Sequence, residues 1–172
     1  MKKKQKKFVK EQEVLDKNYS PKNYITERLE CKSHDGRLIP LTITRHKETR
    51  VDGTANVLLY AYGSYGHSLS FGFSNTRLTL LNRNIIWCDA SVRGGRERGE
   101  VWHEEGKMSS KKNSFLDYIS AAKFLIDSKY SYKGGIIGYG GSAGGLLLGS
   151  VINQTPELFL GTVIQVGFLD PL

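Results

Sequence analysis

Short, nearly continuous apolar runs alternate with amphipathic segments along most of the chain. The apolar runs span residues 56–62, 85–91, 134–140 and 161–167. Strands that are buried on both faces of a sheet have this pattern, because neither face meets water. The predicted helices between them occupy residues 75–81, 114–129 and 143–154. Strands that alternate with helices predict a mainly parallel sheet with helical crossovers, which is the α/β class.

Two runs of alternating character precede the first apolar run and predict an antiparallel hairpin. They flank His34-Asp35-Gly36, and an Asp-Gly pair readily supplies the positive φ angles of a tight turn. The expected sheet therefore begins with an antiparallel pair and continues with about four parallel strands. The last of these is expected to be an unpaired apolar edge, which favours aggregation or pairing with another chain.

The positive charge of the chain is concentrated at its start. The formal net charge is +8 at pH 7, but the first ten residues contain six lysines and no acid. We predict that residues 1–23 form a basic tail or linker and that residues 24–172 form one partial domain. Because the remainder is nearly neutral, no nucleic-acid partner is expected.

The cysteines and the apolar runs bear on the location of the protein. Cys31 and Cys88 lie far apart in strand-like sequence, as reduced cysteines of a cytoplasmic protein do. No apolar run reaches the length of a signal peptide or a membrane span. We therefore predict a cytoplasmic location and no membrane partner, and the sequence suggests neither a cofactor nor a metal.

A glycine-rich turn, IIGYGGSAGGLLLG, joins a predicted strand to a predicted helix at residues 136–149. Gly138, Gly140 and Ala143 fit GxGxxA, in which backbone amides approach a pyrophosphate at a helix N-terminus. That interpretation needs an early strand and an acid at the end of the next strand. Here the turn follows a later strand, and Glu157 lies in a helix-to-strand loop, so the nucleotide interpretation lacks its context.

The same turn also fits GxSxG, through Gly140, Ser142 and Gly144. In this motif a sharp strand-to-helix turn projects the serine hydroxyl, and the flanking glycines prevent clashes. A tight turn without chemistry does not account for a small polar residue centred among glycines. We therefore predict that Ser142 is a nucleophile.

A serine nucleophile needs a general base, a group that orients the base, and donors for the oxyanion. On an α/β-hydrolase sheet the chain order is serine, then acid, then histidine. All four histidines precede Ser142; they are His34, His46, His67 and His103. The catalytic base is therefore expected to be missing from this chain.

Four ordered motifs resemble the catalytic domain of the prolyl oligopeptidase family, and within it the oligopeptidase B group. They read LLYAYGSYG, VRGGRERGEVWHEEGKMSSKKNSFLDY, GYGGSAGG and INQTPELFLGTVIQVGFLD. The resemblance extends from about residue 23 to residue 172. It implies an incomplete α/β-hydrolase fold, since the last strands of that fold would follow residue 172.

The resemblance also implies roles for individual residues. The serine of GGSxGG is the acylated nucleophile of the family, which corresponds to Ser142. The oxyanion would be held by the Ala143 amide and by the hydroxyl of Tyr62, and Tyr65 would bind substrate. Tyr62 follows an apolar strand, so its phenol could project over the sheet edge where Ser142 emerges; a packed aromatic is the alternative.

The YGSYG and GGSAGG variants are similar to the oligopeptidase B group, which implies cleavage of short peptides after Lys or Arg. The acidic residues expected to receive the basic side chain would follow residue 172. The family's N-terminal β-propeller and its triad Asp and His also have no counterpart here. The isolated chain is therefore expected to be nearly inactive, with a separately encoded C-terminal fragment as a candidate partner.

Two other functions stay open at this point. The chain could be a non-catalytic remnant or interaction fragment of a split gene, or an esterase-type α/β-hydrolase that uses the same turn.

Several polar residues between positions 93 and 112 carry weaker signals of function. Glu104 and Glu105 are expected in a solvated loop, and residues 109–112, SSKK, in an exposed loop rather than a serine-lysine dyad. His103 is expected to be structural. Arg93 could position a loop or bind a substrate carboxylate. The usual RGGGE of the family is RGGRE here, so Arg96 is expected to place a β-carbon at a costly position.

Overall fold

The structure, a computed structural model, describes residues 7–10, 14, 19–167 and 169. The described strands are β1 (Tyr24–Lys32), β2 (Leu38–His46), β3 (Val57–Tyr60), β4 (Ile86–Ala90), β5 (Ile136–Gly141) and β6 (Phe159–Gln165). The described α-helices are α1 (Asn75–Leu81), α2 (Glu100–Glu104), α3 (Lys112–Asp127) and α4 (Ala143–Gln154). Short 3-10 turns occur at Pro21–Asn23, Met108–Ser110 and Pro156–Leu158.

The described strands form one mixed sheet in the order β1-β2-β4-β3-β5-β6. β1, β2 and β4 pair antiparallel, whereas β4, β3, β5 and β6 pair parallel. The predicted antiparallel start and the four parallel strands are therefore confirmed. The predicted hairpin is also present, with the Ser33 amide donating to the Arg37 carbonyl oxygen at 2.7 Å and Gly36 at a φ of 88°.

The core lies between one face of the sheet and helices α3 and α4. Alternate residues of a strand point to opposite faces, so Ile86 and Cys88 of β4 are fully buried beneath these helices. Trp87 points to the other face and packs against the rings of Tyr60 and Tyr139. Within the core, the Tyr118 hydroxyl of α3 donates to the Leu59 carbonyl oxygen at 2.7 Å, which fixes α3 against the central strand.

The helices and strands agree with the sequence pattern, and the predicted bounds lie within about two residues of the observed ones. α1 has the predicted bounds, and its N-cap Ser74 accepts from the Arg77 amide at 3.4 Å. β6 begins at Phe159, two residues before the predicted run, because the preceding 3-10 turn leads straight into the sheet. α3 begins two residues earlier than predicted. α2 was not predicted, since its five residues are too few for a periodic apolar pattern.

The first and last described strands relate to two predictions, the domain boundary near residue 24 and the unpaired edge strand. β1 begins at Tyr24, while most of the predicted basic tail, residues 1–23, lies outside the described residues. At the other end β6 pairs with β5 alone among the described strands. Leu160 and Val163 of β6 are 59% and 51% exposed, so aggregation through this edge stays a prediction. None of the helices in the described ranges is long and apolar enough to cross a membrane.

Candidate active site

Ser142 occupies the sharp turn between β5 and α4. Its φ and ψ are 52° and −116°, a backbone conformation that costs a residue other than glycine about 1–3 kcal/mol. The turn is held on both sides, because the Ser142 amide donates to the Gln165 carbonyl oxygen and the Gly145 amide donates to the Ser142 carbonyl oxygen, both at 2.9 Å. A strained serine between a strand and a helix is the geometry of a nucleophile elbow.

Two glycines around the serine are required by close backbone packing. A Cβ added at Gly140 would lie 2.5 Å from the Gly144 carbonyl oxygen, and one added at Gly144 would lie 2.9 Å from the Ala61 carbonyl oxygen. The GxSxG spacing therefore serves the turn itself. The nucleotide interpretation finds no support, since Glu157 lies in the turn that precedes β6 rather than at the strand's carboxyl end.

Tyr62 lies beside this turn, at the same edge of the sheet. It follows β3, and β3 runs parallel to β5 as its direct neighbour, so the carboxyl ends of both strands meet at one edge. A Cβ added at Gly144 would lie 3.6 Å from the Tyr62 Cα and 3.7 Å from its ring Cδ2. The half-buried Tyr62 ring also contacts the ring of His67 edge to face, at 5.4 Å between centroids. The residue predicted to hold the oxyanion is thus packed against the first turn of the helix that follows Ser142.

Ala143 is the first residue of α4 and is buried. The first amides of a helix have no acceptor within it, and the helix dipole concentrates positive potential at that end. An oxyanion formed next to Ser142 can therefore accept a hydrogen bond from the Ala143 amide without breaking a helical one.

Tyr65 lies in the loop after β3, with a φ of 56° and its side chain 73% exposed. It borders a cavity of about 490 Å³ that also contacts Ala143 and Leu146 of α4. The other lining residues are Ser64, His103, Gly106, Lys107, Met108 and Lys111. The residue predicted to bind substrate therefore lies at a cavity beside the nucleophile's helix.

The general base is not found among the described residues. All four histidines lie in the described part of the chain, and none forms a hydrogen bond with the Ser142 hydroxyl there. His103 instead has its Nδ1 2.9 Å from the Gly94 carbonyl oxygen, which fits the structural role expected for it.

The Arg93 side chain stabilises the fold and does not face a substrate. Its side chain is 1% exposed, and its Nε and Nη2 donate to the two Asp117 carboxylate oxygens at 2.9 and 2.6 Å. Its Nη1 donates to Asp35 in the hairpin turn at 2.5 Å. Burial by itself would lower the pKa of Arg93, but the hydrogen bonds to both aspartates raise it above its ordinary value. Of the two roles open to Arg93, the structure favours positioning of a loop.

Lys111 was expected in an exposed loop, and this expectation is wrong. Lys111 is half-buried, and its ammonium donates to Ser64 Oγ at 2.9 Å, to Ser114 Oγ at 3.3 Å and to the Gly63 carbonyl oxygen. Burial lowers the pKa of Lys111 to about 8. The one available signal was the Lys111 to Ser114 spacing, which is one helical turn.

Arg96 also differs from its expectation. The positive φ angles of this loop occur at Gly94 and Gly99, not at Arg96, so the β-carbon of Arg96 is not costly. Its exposed guanidinium pairs with Glu100, with Nε 2.8 Å from the carboxylate, and packs against Gly66.

The acidic residues in and directly after α2 are each paired with a cation. Glu104 lies in α2 rather than in a loop and pairs with Lys107, whereas the half-buried Glu105 pairs with Arg37. They are therefore not a catalytic carboxylate pair. Glu100, His103 and Glu104 do bring possible ligand atoms within 4.8 Å of one another, but both glutamates already have cationic partners.

A strained serine at a strand-to-helix turn, with the first amide of a helix beside it and a tyrosine just after the neighbouring strand, is the arrangement of the serine turn on an α/β-hydrolase sheet. Comparison with known families gives the same class. The model of the prolyl oligopeptidase family matches residues 71–172, which is more than half of the chain. The chain belongs to the prolyl oligopeptidase family.

Individual relatives agree with this assignment. The chain is 40% identical over 153 residues to dipeptidyl aminopeptidase BI of Pseudoxanthomonas mexicana, and 41% identical over 152 residues to protease 2 of Moraxella lacunata. Each match covers 88% of this chain but only 21% and 22% of the relatives. The structure of oligopeptidase B from Leishmania major superposes with a TM-score of 0.86 at 38% identity, over 90% of this chain and 22% of that one. The chain thus spans about a fifth of the length of its relatives, and the partial α/β-hydrolase fold predicted from sequence is confirmed.

Proposed function

We propose that this chain carries the nucleophile and the oxyanion donors of a serine peptidase that hydrolyses short peptides. The observation that carries the proposal is the strained turn at Ser142, against which Tyr62 is packed from the neighbouring strand. The names of the family and of the relatives support the same reaction class.

The chemistry follows from this geometry. Ser142 Oγ attacks the carbonyl carbon of the scissile peptide bond, and the carbonyl oxygen becomes an oxyanion. The Ala143 amide and the Tyr62 hydroxyl donate to that oxygen, which lowers the barrier to the tetrahedral intermediate. Collapse of the intermediate expels the amine and leaves an acyl group on Ser142, which water then removes.

The proton of the Ser142 hydroxyl needs an acceptor that the described residues do not provide. We place the base and its orienting acid in a further segment, which a separately supplied C-terminal fragment would bring to Ser142. An unactivated serine is a weak nucleophile at neutral pH, so the isolated chain is expected to be nearly inactive.

Cleavage after Lys or Arg is the proposed specificity. It rests on the YGSYG and GGSAGG motifs and on the 41% identity to protease 2. No carboxylate lines the cavity beside Tyr65, so the acidic residues that would receive a basic side chain also belong to a further segment. We also propose a cytoplasmic location, which the two buried free cysteines support. The mechanism uses no metal or cofactor.

Labelling of Ser142 by a fluorophosphonate probe tests the proposal. The full chain would be expressed and incubated with the probe, alone and with the separately expressed C-terminal half of an oligopeptidase B, with Ser142→Ala as the control. Labelling that requires the added half and is lost in Ser142→Ala is the expected result. If the folded chain stays unlabelled in both mixtures, the result would favour a non-catalytic remnant. Turnover of simple esters without peptide cleavage would favour an esterase.

A further inference from the structure

The ammonium group of Lys111 has a complete set of acceptors beside the candidate active site. Lys111 directly precedes α3, and its three acceptors are the Gly63 carbonyl oxygen, Ser64 Oγ at 2.9 Å and Ser114 Oγ at 3.3 Å. An ammonium has three N–H donors and no acceptor. Each donor of Lys111 is therefore matched by one oxygen, and two of the three oxygens belong to the loop that follows Tyr62.

This cation has no counter-ion in the part of the chain that the structure describes. Its further partner is the ring of Phe115, whose centroid lies 5.9 Å from Nζ. A buried charge without an opposite charge costs free energy, and burial accordingly lowers the pKa of Lys111 to about 8. The protonated form still predominates at neutral pH. A neutral side chain would fill the same space at lower cost, so packing alone does not account for the lysine.

The loop held by Lys111 begins at the residue after Tyr62. Gly63 is buried with a φ of 63°, and Lys111 is the one donor to its carbonyl oxygen among the described residues. The same oxygen lies against Gly94, since a Cβ added at Gly94 would be 2.0 Å from it. Ser114, the third partner of Lys111, donates to the Arg93 carbonyl oxygen at 2.6 Å. Lys111 thus ties the loop after Tyr62 to α3 and to the turn at Arg93 and Gly94.

We propose that Lys111 is a positioning residue for the oxyanion site: by holding Gly63 and Ser64, it sets the position from which the Tyr62 hydroxyl reaches the oxyanion. This inference rests on the proposed acyl transfer at Ser142. Lys111 does not itself contact the reacting atoms in this proposal. It acts through the backbone next to Tyr62, so its effect on the reaction depends on the Tyr62 hydroxyl.

A double-mutant cycle on Ser142 labelling tests this dependence. The full chain, reconstituted with the C-terminal half of an oligopeptidase B, would be assayed with a fluorophosphonate probe to obtain the maximal labelling rate and the probe's KI. The variants are Lys111→Met, Tyr62→Phe and the double variant. Lys112→Met is the matched control, because the side chain of the neighbouring, exposed Lys112 forms no hydrogen bond or ion pair with the described residues.

The expected result is a loss that Tyr62 mediates. Removing an oxyanion donor costs about 10²- to 10³-fold in rate, so Tyr62→Phe is expected in that range and Lys111→Met at about tenfold or more, with KI unchanged. In the Tyr62→Phe background, Lys111→Met should cost less than about twofold, because coupled residues are not additive. Lys112→Met should leave both constants unchanged.

Hydrogen exchange on the chain alone gives a readout that needs no activity. Lys111→Met should accelerate exchange of the amides at 63–67 and leave those of β3 unchanged, whereas Lys112→Met should change neither. Equal losses from Lys111→Met with and without Tyr62, or an unchanged labelling rate, would overturn the inference while the peptidase proposal stands. Absence of labelling in the wild-type mixture would instead count against the proposed function, and unchanged exchange at 63–67 would then overturn the holding role as well.

Discussion

Arg93 and Lys111 are two cations near the candidate active site that the fold holds in opposite electrostatic ways, Arg93 buried and Lys111 half-buried. Arg93 is bound by the carboxylates of Asp117 and Asp35, whereas Lys111 donates only to uncharged oxygens. The Arg93 charge is therefore neutralised within the fold, and the Lys111 charge is not. Burial of a cation therefore does not by itself reveal its role. A cation that carboxylates neutralise serves stability, whereas a cation kept without an opposite charge beside a reactive site points to function.

The largest expected effect is the loss of stability in Arg93→Met. This change leaves the Asp117 carboxylate, which is fully buried, without its cation, and breaking a buried pair in this way costs about 3–5 kcal/mol. Urea unfolding followed by circular dichroism measures it. Arg96→Met is the control, since Arg96 is exposed and pairs with an exposed glutamate, and its unfolding midpoint should match that of the wild type. An Arg93→Met chain as stable as the Arg96→Met control would contradict the stabilising role of the Arg93–Asp117 ion pair.

The alkaline pH dependence of stability should set Lys111 apart from Arg93. The pKa of Lys111 is about 8 in the folded chain against 10.5 for an ordinary lysine, so between these values the unfolded chain binds more protons. Stability therefore rises with pH across this window, because the cost of burying the ammonium is relieved. The measurement is the difference in unfolding free energy between wild type and Lys111→Met from about pH 7 to about pH 11, a range that spans both pKa values. If the difference in unfolding free energy stays constant across this pH range, the result would contradict a lowered pKa of Lys111 in the folded chain.

At neutral pH the same Lys111→Met variant should change stability by less than about 1 kcal/mol. Two effects oppose each other: the variant removes a buried charge, which is favourable, and leaves the Gly63 carbonyl oxygen without a donor, which is unfavourable. Chemical unfolding at pH 7 checks the balance. A loss as large as that of Arg93→Met would mean that Lys111 is chiefly a structural residue.

The smallest effect is expected for Asp35→Asn, and it should depend on pH. Burial opposes ionisation of Asp35, but hydrogen bonds from Arg93 and from the Arg37 amide outweigh it and lower the pKa below 3.8. The ionised form therefore contributes stability above this pH, and that contribution is lost as the pH falls through the lower folded pKa. Asp35→Asn should be less stable than wild type at pH 7, by less than Arg93→Met, and the two proteins should converge in acid. Persistence of the gap in acid would show that the side chain acts through packing rather than charge.

Much of the fold and the core of the site could be predicted because they depend on neighbours in the chain. The bounds of α1 follow from its Ser74 cap and local apolar pattern. The turn at Ser142 follows from GxSxG, in which Gly140 and Gly144 are four residues apart and contact each other. The roles of Tyr62, Ala143 and Tyr65 came from the family resemblance. Their placement beside Ser142 agrees with those roles, which stay predictions.

The wrong expectation for Lys111 and the open question at Arg93 both concern residues whose partners lie far away in the chain. Lys111 contacts Gly63, 48 residues earlier, and Arg93 contacts Asp35, 58 residues earlier. Beyond the one-turn spacing of Lys111 and Ser114, no local pattern distinguishes such a lysine from an exposed one, because its acceptors are a backbone carbonyl and two hydroxyls that many loops contain. Arg96 was misjudged for a related reason, since its φ is not positive and its guanidinium packs against the distant Gly66.

The amino-acid sequence by itself determined the alternation of strands and helices, the hairpin turn and the serine turn, since each is encoded by side-chain periodicity or by glycines within a few residues. Tertiary structure alone decided which charges are buried, which are neutralised, and which side chain holds the loop behind Tyr62. The physical reason is that burial and pairing of a charge depend on the groups that folding brings around it, and here those groups come from strands and loops dozens of residues apart.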